Sequence, residues 1–269
     1  SKGSVRAIKG NVVMTTNKSG EVDSFYGIYN SADIYAGENV LFAHVTNWDG
    51  TLDHKDAIDG AINNEGNIVA QKNVGLYADG DLQNTGNISA TNNVDLSSNE
   101  NIINGTRNSD SIGYGNGNIE AVEGYIQLDA TKNVRNYAGS IAAFDKVVIN
   151  SWHGEAYNQA NIVSKNSDVS ITAATVYSLP EEKLDDNNKR AIGDVVNKGT
   201  IQAKNNIALY SMNGNVVNEA KITSEAGNVG IIAEISSYAT ATREDGDIGR
   251  VRNYLDPQKI TSDTNRPDI

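Results

Sequence analysis

An asparagine returns at equivalent places roughly every 20 residues, and a fixed period of that length marks a solenoid before any other fold is considered. The clearest copy reads Leu82-Gln83-Asn84-Thr85-Gly86-Asn87-Ile88-Ser89-Ala90, followed by Asn93-Val94-Asp95-Leu96. The same frame recurs as Ile62, Asn64, Gly66, Ile68, Ala70, Asn73, Val74 and Leu76, and again as Val195, Asn197, Gly199, Ile201, Ala203, Asn206, Ile207 and Leu209. Another copy carries Val216, Asn218, Ile222, Asn228, Val229 and Ile231. Looser copies are built on Asn30, Asn104, Asn136 and Asn158, and Asn253 opens a last partial one before Ile260.

Within each copy apolar residues alternate with polar or small ones, the period-2 pattern of a strand with one buried face. Each run is short, and Asn-x-Gly separates the first from the second, a sequence suited to a tight turn. Three short strands with a turn after each make one coil of a parallel β-helix. A leucine-rich repeat has a similar length but needs a helical segment, and no amphipathic helical stretch is evident. The expected fold is therefore all-β: a single-stranded parallel β-helix of about ten coils, counted from Val5 to Ile260, forming one rod of roughly 45–50 Å. The whole chain, 1–269, reads as one unit, because each coil contacts only its neighbours and one core serves all of them.

Asn30, Asn64, Asn84, Asn104, Asn136, Asn158, Asn197, Asn218 and Asn253 should stack as a column. An amide carries both donor and acceptor, so identical asparagines on successive coils can bond to one another. An internal ladder is the expectation, since Leu, Ile or Val usually lies two places earlier; solvated turn asparagines are the plainer alternative.

Composition narrows the function classes. Three prolines and 25 glycines fit a loop-rich β-solenoid, and with no cysteine neither a disulfide nor a thiolate metal site is possible. A formal net charge of −12 disfavours nucleic acid and anionic membrane as partners. No apolar run approaches the ~20 residues needed to span a bilayer, so no membrane insertion is expected. The chain starts inside a coil, at Val5, Ala7, Asn11, Val12 and Met14, and neither end carries a capping helix, which suggests a segment of a longer rod.

Intervals between successive second-strand isoleucines range from 20 residues, Ile68 to Ile88, to 39, Ile162 to Ile201. The excess falls in insertions at 15–27, 43–61, 174–194 and 234–250, all after the third strand, with 104–118 alone leaving from another turn. Insertions on one side of a solenoid commonly build its binding face. The candidate ligand-binding residues are Trp48, Asp49 and His54 on one insertion, Trp152 and His153 at a short corner, and Tyr177, Glu181 and Glu182 on another. Against this stands the plainer reading that each tryptophan packs onto its own coil. Val196 and Val217, apolar on an outward face, should be neighbours under a loop.

Chemistry is harder to find. The outward columns of the three strands hold no two adjacent acids, and no His-x-x-x-His spacing occurs, so no catalytic residue, metal or cofactor is expected. Calcium at Asp185 and Asp186, or at Asp245 and Asp247, is conceivable on carboxylate chemistry alone.

The unit Leu82-x-Asn84-x-Gly86-x-Ile88-x-Ala90-x-x-Asn93-Val94-x-Leu96 resembles the repeat of filamentous haemagglutinin-like exoproteins, the adhesins and contact-dependent inhibition proteins of the two-partner route. The Asn-x-Gly-x-Ile-x-Ala stretches at 64–70, 84–90 and 197–203 carry the likeness. The resemblance implies a right-handed parallel β-helical rod, secreted to the Gram-negative cell surface through an outer-membrane two-partner transporter. It implies adhesion through a receptor, glycan or protein, on host cells or other bacteria, in attachment, biofilm and virulence. The chain lacks the family's amino-terminal secretion domain and a carboxy-terminal toxin module, so an internal segment is implied. The alternatives are a carbohydrate-active β-helix enzyme, of lyase or hydrolase type, and a plain structural spacer.

Overall fold

The computed structural model describes residues 3–16, 27–44, 56–106, 116–174, 193–212 and 214–234, together with the backbone of 251–253. Strands alone make up its regular structure; among the described residues there is no helix. They form three parallel sheets of nine strands, each strand pairing with its equivalents one coil before and one coil after. This is a parallel β-helix. Nine coils are described rather than ten, a rod of roughly 40 Å at ordinary inter-strand spacing, since the copy at Ile260 lies outside the described residues.

One coil shows how the repeat is read by the backbone. Leu82–Asn84 lies in the first sheet, Asn87–Ala90 in the second and Val94–Ser98 in the third. The register is in step: Ile88 pairs with Ile68 and Ile119, Leu96 with Leu76 and Leu128, and Asn84 with Asn64 and Asn104. Like therefore stacks on like down the rod. Ile34, Ile68, Ile88, Ile119, Ile141, Ile162 and Ile201 are all essentially inaccessible, and burial of each contributes about 1.5–3 kcal/mol. They belong to one cluster running from Val12 to Ile222. A one-residue slip would turn every one of these side chains to the outside, so the alternation fixes the register.

The asparagine column forms a continuous chain of amides. Asn30 Nδ2 donates to Asn64 Oδ1 at 2.7 Å, and the same bond links Asn64 to Asn84, Asn84 to Asn104, Asn104 to Asn136, Asn136 to Asn158, Asn158 to Asn197 and Asn197 to Asn218, at 2.7–2.9 Å. All eight are buried. Asn253 continues the column in backbone pairing. Every bond points the same way, with the donor on the earlier coil. In four of the eight, Nδ2 also donates to the turn carbonyl two residues on, at Ala32, Gly66, Ala160 and Ala220.

Two further columns stand at the other corners, and the repeat frame did not single them out as ladders. Between second and third sheets, Asn73 Nδ2 donates to Asn39 Oδ1 and Asn39 Nδ2 to Asn11 Oδ1, at 2.9 and 2.8 Å. Between third and first sheets, Asn133 Nδ2 donates to Asn101 Oδ1 and Asn101 Nδ2 to Asp81 Oδ1, both at 2.8 Å. In these the donor sits on the later coil, opposite in sense to the buried column. Each corner of the rod thus has side chains that satisfy the turn backbone, which a stack of tight turns would otherwise leave unpaired.

The turn after the buried asparagine comes in two forms. Where Ala32 or Ala160 occupies the corner, its N–H bonds back to the Oδ1 of its own Asn30 or Asn158. Where Gly66 or Gly86 occupies it, the N–H instead donates to the Asn30 or Asn64 carbonyl on the preceding coil, at 3.1 Å. The glycine turn therefore dips onto the coil before it. The cost of filling that approach is taken up in the Discussion.

Candidate binding face

The third-sheet strands are longer than the three or four residues expected. Val74–Ala78, Val94–Ser98, Ile126–Ala130 and Val147–Ser151 each have five residues, and Val169–Ala174 and Ile207–Met212 have six. What prolongs them is a small inward residue two places after the Leu or Ile: Ala78, Ser98, Ala130, Ser151, Ala173 and Ser211 are all buried. The serines keep their hydroxyls satisfied by donating to the carbonyls of Gly80, Lys132 and Gly193. This continued alternation was the sequence signal for the longer strands, carried by Ala and Ser rather than by large apolar residues.

The extension adds an outward row that the sequence columns omitted. Beside Gly75, Asp95, Gln127, Val148, Ser170 and Ala208 run Tyr77, Ser97, Asp129, Asn150, Thr172 and Tyr210, one from each coil. Together the two rows make a flat polar face. Neither row carries a lysine or arginine over these six coils.

Several of these side chains hold one another in place. Asp129 accepts from Gln127 Nε2 at 2.5 Å on one carboxylate oxygen and from Asn150 Nδ2 at 2.7 Å on the other. At the amino-terminal end Tyr77 donates its hydroxyl to Asp95 Oδ2 at 3.2 Å. Its ring lies across Gly75, where a Cβ would stand 3.0 Å from the Tyr77 Oη, so the bare strand backbone makes room for the aromatic. Leu41 and Ala43 pack with it in a small cluster separate from the main core; outward-pointing Leu41 is only 2% exposed. At the far end Tyr210 donates to Glu234 at 2.7 Å.

Burial, and then the neighbouring Asp95 carboxylate, push the Tyr77 phenol well above its ordinary pKa. Its folded value is raised, so this contribution to stability is fully present below about pH 10 and is lost as pH rises further. Tyr77→Phe should cost about 1 kcal/mol near neutrality through the lost bond to Asp95. The variant should also lose less stability than the parent between pH 8 and pH 11. Urea denaturation at the two pH values checks this, and parallel losses in both proteins would refute it.

Of the ligand-binding residues expected from sequence, Trp48, Asp49, His54, Tyr177, Glu181 and Glu182 lie outside the described residues. Trp152 and His153 are described. Trp152 follows Val148 and Asn150 in the outward alternation of its coil, is 43% exposed, and is tied to the preceding coil by its N–H donating to the Ala130 carbonyl at 3.0 Å. It therefore stands at the edge of the polar face, and His153 beside it is half-buried. Insertions at 15–27, 43–61, 174–194 and 234–250 all leave the third sheet and rejoin the first, so they share that edge. Val196 and Val217 pair as neighbours on the first sheet, as expected, and both are half-buried.

The sequence columns held no two adjacent acids, but the longer strands bring Asp129 diagonal to Asp95 on the next coil. Both oxygens of Asp129 are already engaged by amides. Among the described residues no group of three or more His, Asp or Glu could hold a metal ion. No helix there is long and apolar enough to cross a membrane. No protein-family model, curated protein or solved structure matches this chain.

Proposed function

We propose that this chain is a non-enzymatic binding segment of a large secreted or cell-surface bacterial exoprotein, attaching it to host cells or to other bacteria. The observation that carries this reading is the fixed polar face of the third sheet with Trp152 exposed at its edge. Side chains already held by mutual hydrogen bonds on a rigid sheet lose little freedom when a ligand arrives, and preorganisation of that kind raises affinity. The resemblance of the Asn-x-Gly-x-Ile-x-Ala repeat to filamentous haemagglutinin-like exoproteins supports the adhesive role. The same resemblance supports export of the parent through an outer-membrane two-partner transporter. The insertions clustered along one edge support recognition there rather than a bare spacer.

A second reading, a carbohydrate-active enzyme, draws on the diagonal Asp95 and Asp129. The engagement of both Asp129 oxygens favours a fixed acceptor over an acid that must shuttle a proton.

Binding of the labelled chain to epithelial cells and to Gram-negative bacteria should be saturable. A version with 43–61 and 174–194 cut to four-residue turns, with unchanged circular dichroism, tests the insertions. Loss of binding in that version alone would place recognition on them. No saturable binding to either cell type would sink the adhesive reading in favour of a spacer. Release of reducing ends from a polysaccharide would favour the enzyme.

A further inference from the structure

Resting on the adhesive reading, we propose that the outward face of the third sheet is a row of subsites for an uncharged polysaccharide, whose chain runs along the rod axis across successive coils. Three features of the face select this ligand. The first is chemical. Asp129, Gln127 and Asn150 offer carboxylate and amide groups side by side, the pairing that matches neighbouring hydroxyls on a sugar ring, each of which both donates and accepts. Gln127 and Asn150 each spend one N–H on Asp129 and keep a second N–H and a carbonyl oxygen for a ligand. Ser170 and Thr172 on the following coil extend the same chemistry.

The second feature is the spacing. Successive coils stand about 4.8 Å apart, a step of the same order as one sugar residue in an extended hexose chain, and present Gln127 with Asp129, then Val148 with Asn150, then Ser170 with Thr172. A chain lying along the axis crosses the strands and meets a new pair of outward side chains at each coil, whereas one lying parallel to the strands meets a single coil and then leaves the face. The third is charge. The two rows contain Asp95 and Asp129 and no cation over six coils, so uronate or sulfated chains would meet uncompensated like charge. Trp152, at the rim, provides a flat apolar surface for the C–H face of a ring, while its indole N–H stays available as a donor.

The test is affinity electrophoresis of the full chain in gels cast with galactomannan, dextran, a soluble β-1,4-xylan or polygalacturonate. Cell binding before and after periodate oxidation of surface sugars is measured in parallel. At least one neutral polymer should retard the chain and polygalacturonate should not. Trp152→Ala, and separately Asn150→Ala, should each weaken the retardation about tenfold, the ~1.4 kcal/mol expected of one lost anchor. Glu120→Ala, on the outward face of the second sheet, should leave it unchanged. Unchanged circular dichroism separates lost contacts from lost fold.

Failure of every neutral polymer to retard the chain would overturn the proposal. So would stronger retardation by polygalacturonate, or a Glu120→Ala effect equal to those on the third sheet. Cell binding that survives periodate would overturn the sugar ligand and leave the adhesive reading standing. Absence of cell binding before periodate would remove the adhesive reading itself.

Discussion

Asn84→Asp should destabilise the rod severely at pH 7 and only slightly near pH 4. Asn84 accepts from Asn64 and donates to Asn104, both at 2.8 Å, in a site 1% exposed. A carboxylate there still accepts from Asn64 but sets a second acceptor against Asn104 Oδ1 and buries a charge. Its pKa must rise in the folded state, since burial and the opposed oxygen both disfavour the ionised form. At pH below the unfolded value of about 3.9 the acid is protonated in both states, and its hydroxyl can donate to Asn104, so the penalty is small. The penalty then grows as pH rises through the folded pKa and levels off above it.

Asn84→Ala should behave differently. It leaves an Asn64 donor and the Asn104 acceptor without their ladder partner, at ~1–3 kcal/mol each, for a loss on the order of 4 kcal/mol that does not change with pH. Urea denaturation of both variants at pH 4 and pH 7 reads the contrast directly. An aspartate variant equally unstable at both pH values would show that the column is not the directional amide chain described above.

Gly86→Val should be strongly destabilising, while Ala160→Gly at the corresponding corner should cost under about 1 kcal/mol. A Cβ at Gly86 would stand 2.0 Å from the carbonyl oxygen of Gly66, a backbone atom that cannot swing aside. Relief requires the two coils to part, which stretches the 3.1 Å bond from Gly86 N–H to the Asn64 carbonyl and the 3.0 Å bond from Asn87 N–H to the Gly66 carbonyl. Overpacking costs about 1–3 kcal/mol where side chains can yield, and here none is involved, so about 3 kcal/mol or more is expected. Ala160 sits in the other turn form, with its N–H on Asn158 Oδ1, and already carries its Cβ. Thermal unfolding followed by circular dichroism compares the two. Equal losses would mean that the two turn forms are not distinct.

How far the sequence was legible differs between core and surface. The in-register stacking of Ile68 on Ile88 on Ile119 followed from a period that returns the same residue to the same place. Asparagine at 64, 84 and 197, two places after a buried Ile, Leu or Val, pointed inward for the same reason. Longer third-sheet strands were half-legible, because Ser98 and Ala130 continue the alternation but are also common in loops. The turn columns through Asn39, Asn73 and Asn101 were harder to separate from ordinary loop asparagines.

Sequence by itself determined the architecture of this protein: three strands per coil, their register, the buried isoleucines and the asparagine column. Those depend on period and on the burial of one face, both of which are written locally and repeated. Only the tertiary structure decided the opposite senses of the amide ladders and the two forms of the Asn corner. It also brought Tyr77 over Gly75 and set Gln127, Asp129 and Asn150 side by side. Asp129 and Asn150 come together across coils, and Tyr77 with Gly75 or Gln127 with Asp129 through the side-chain conformation taken within one strand; local alternation says which way a side chain points but not which partner it bonds.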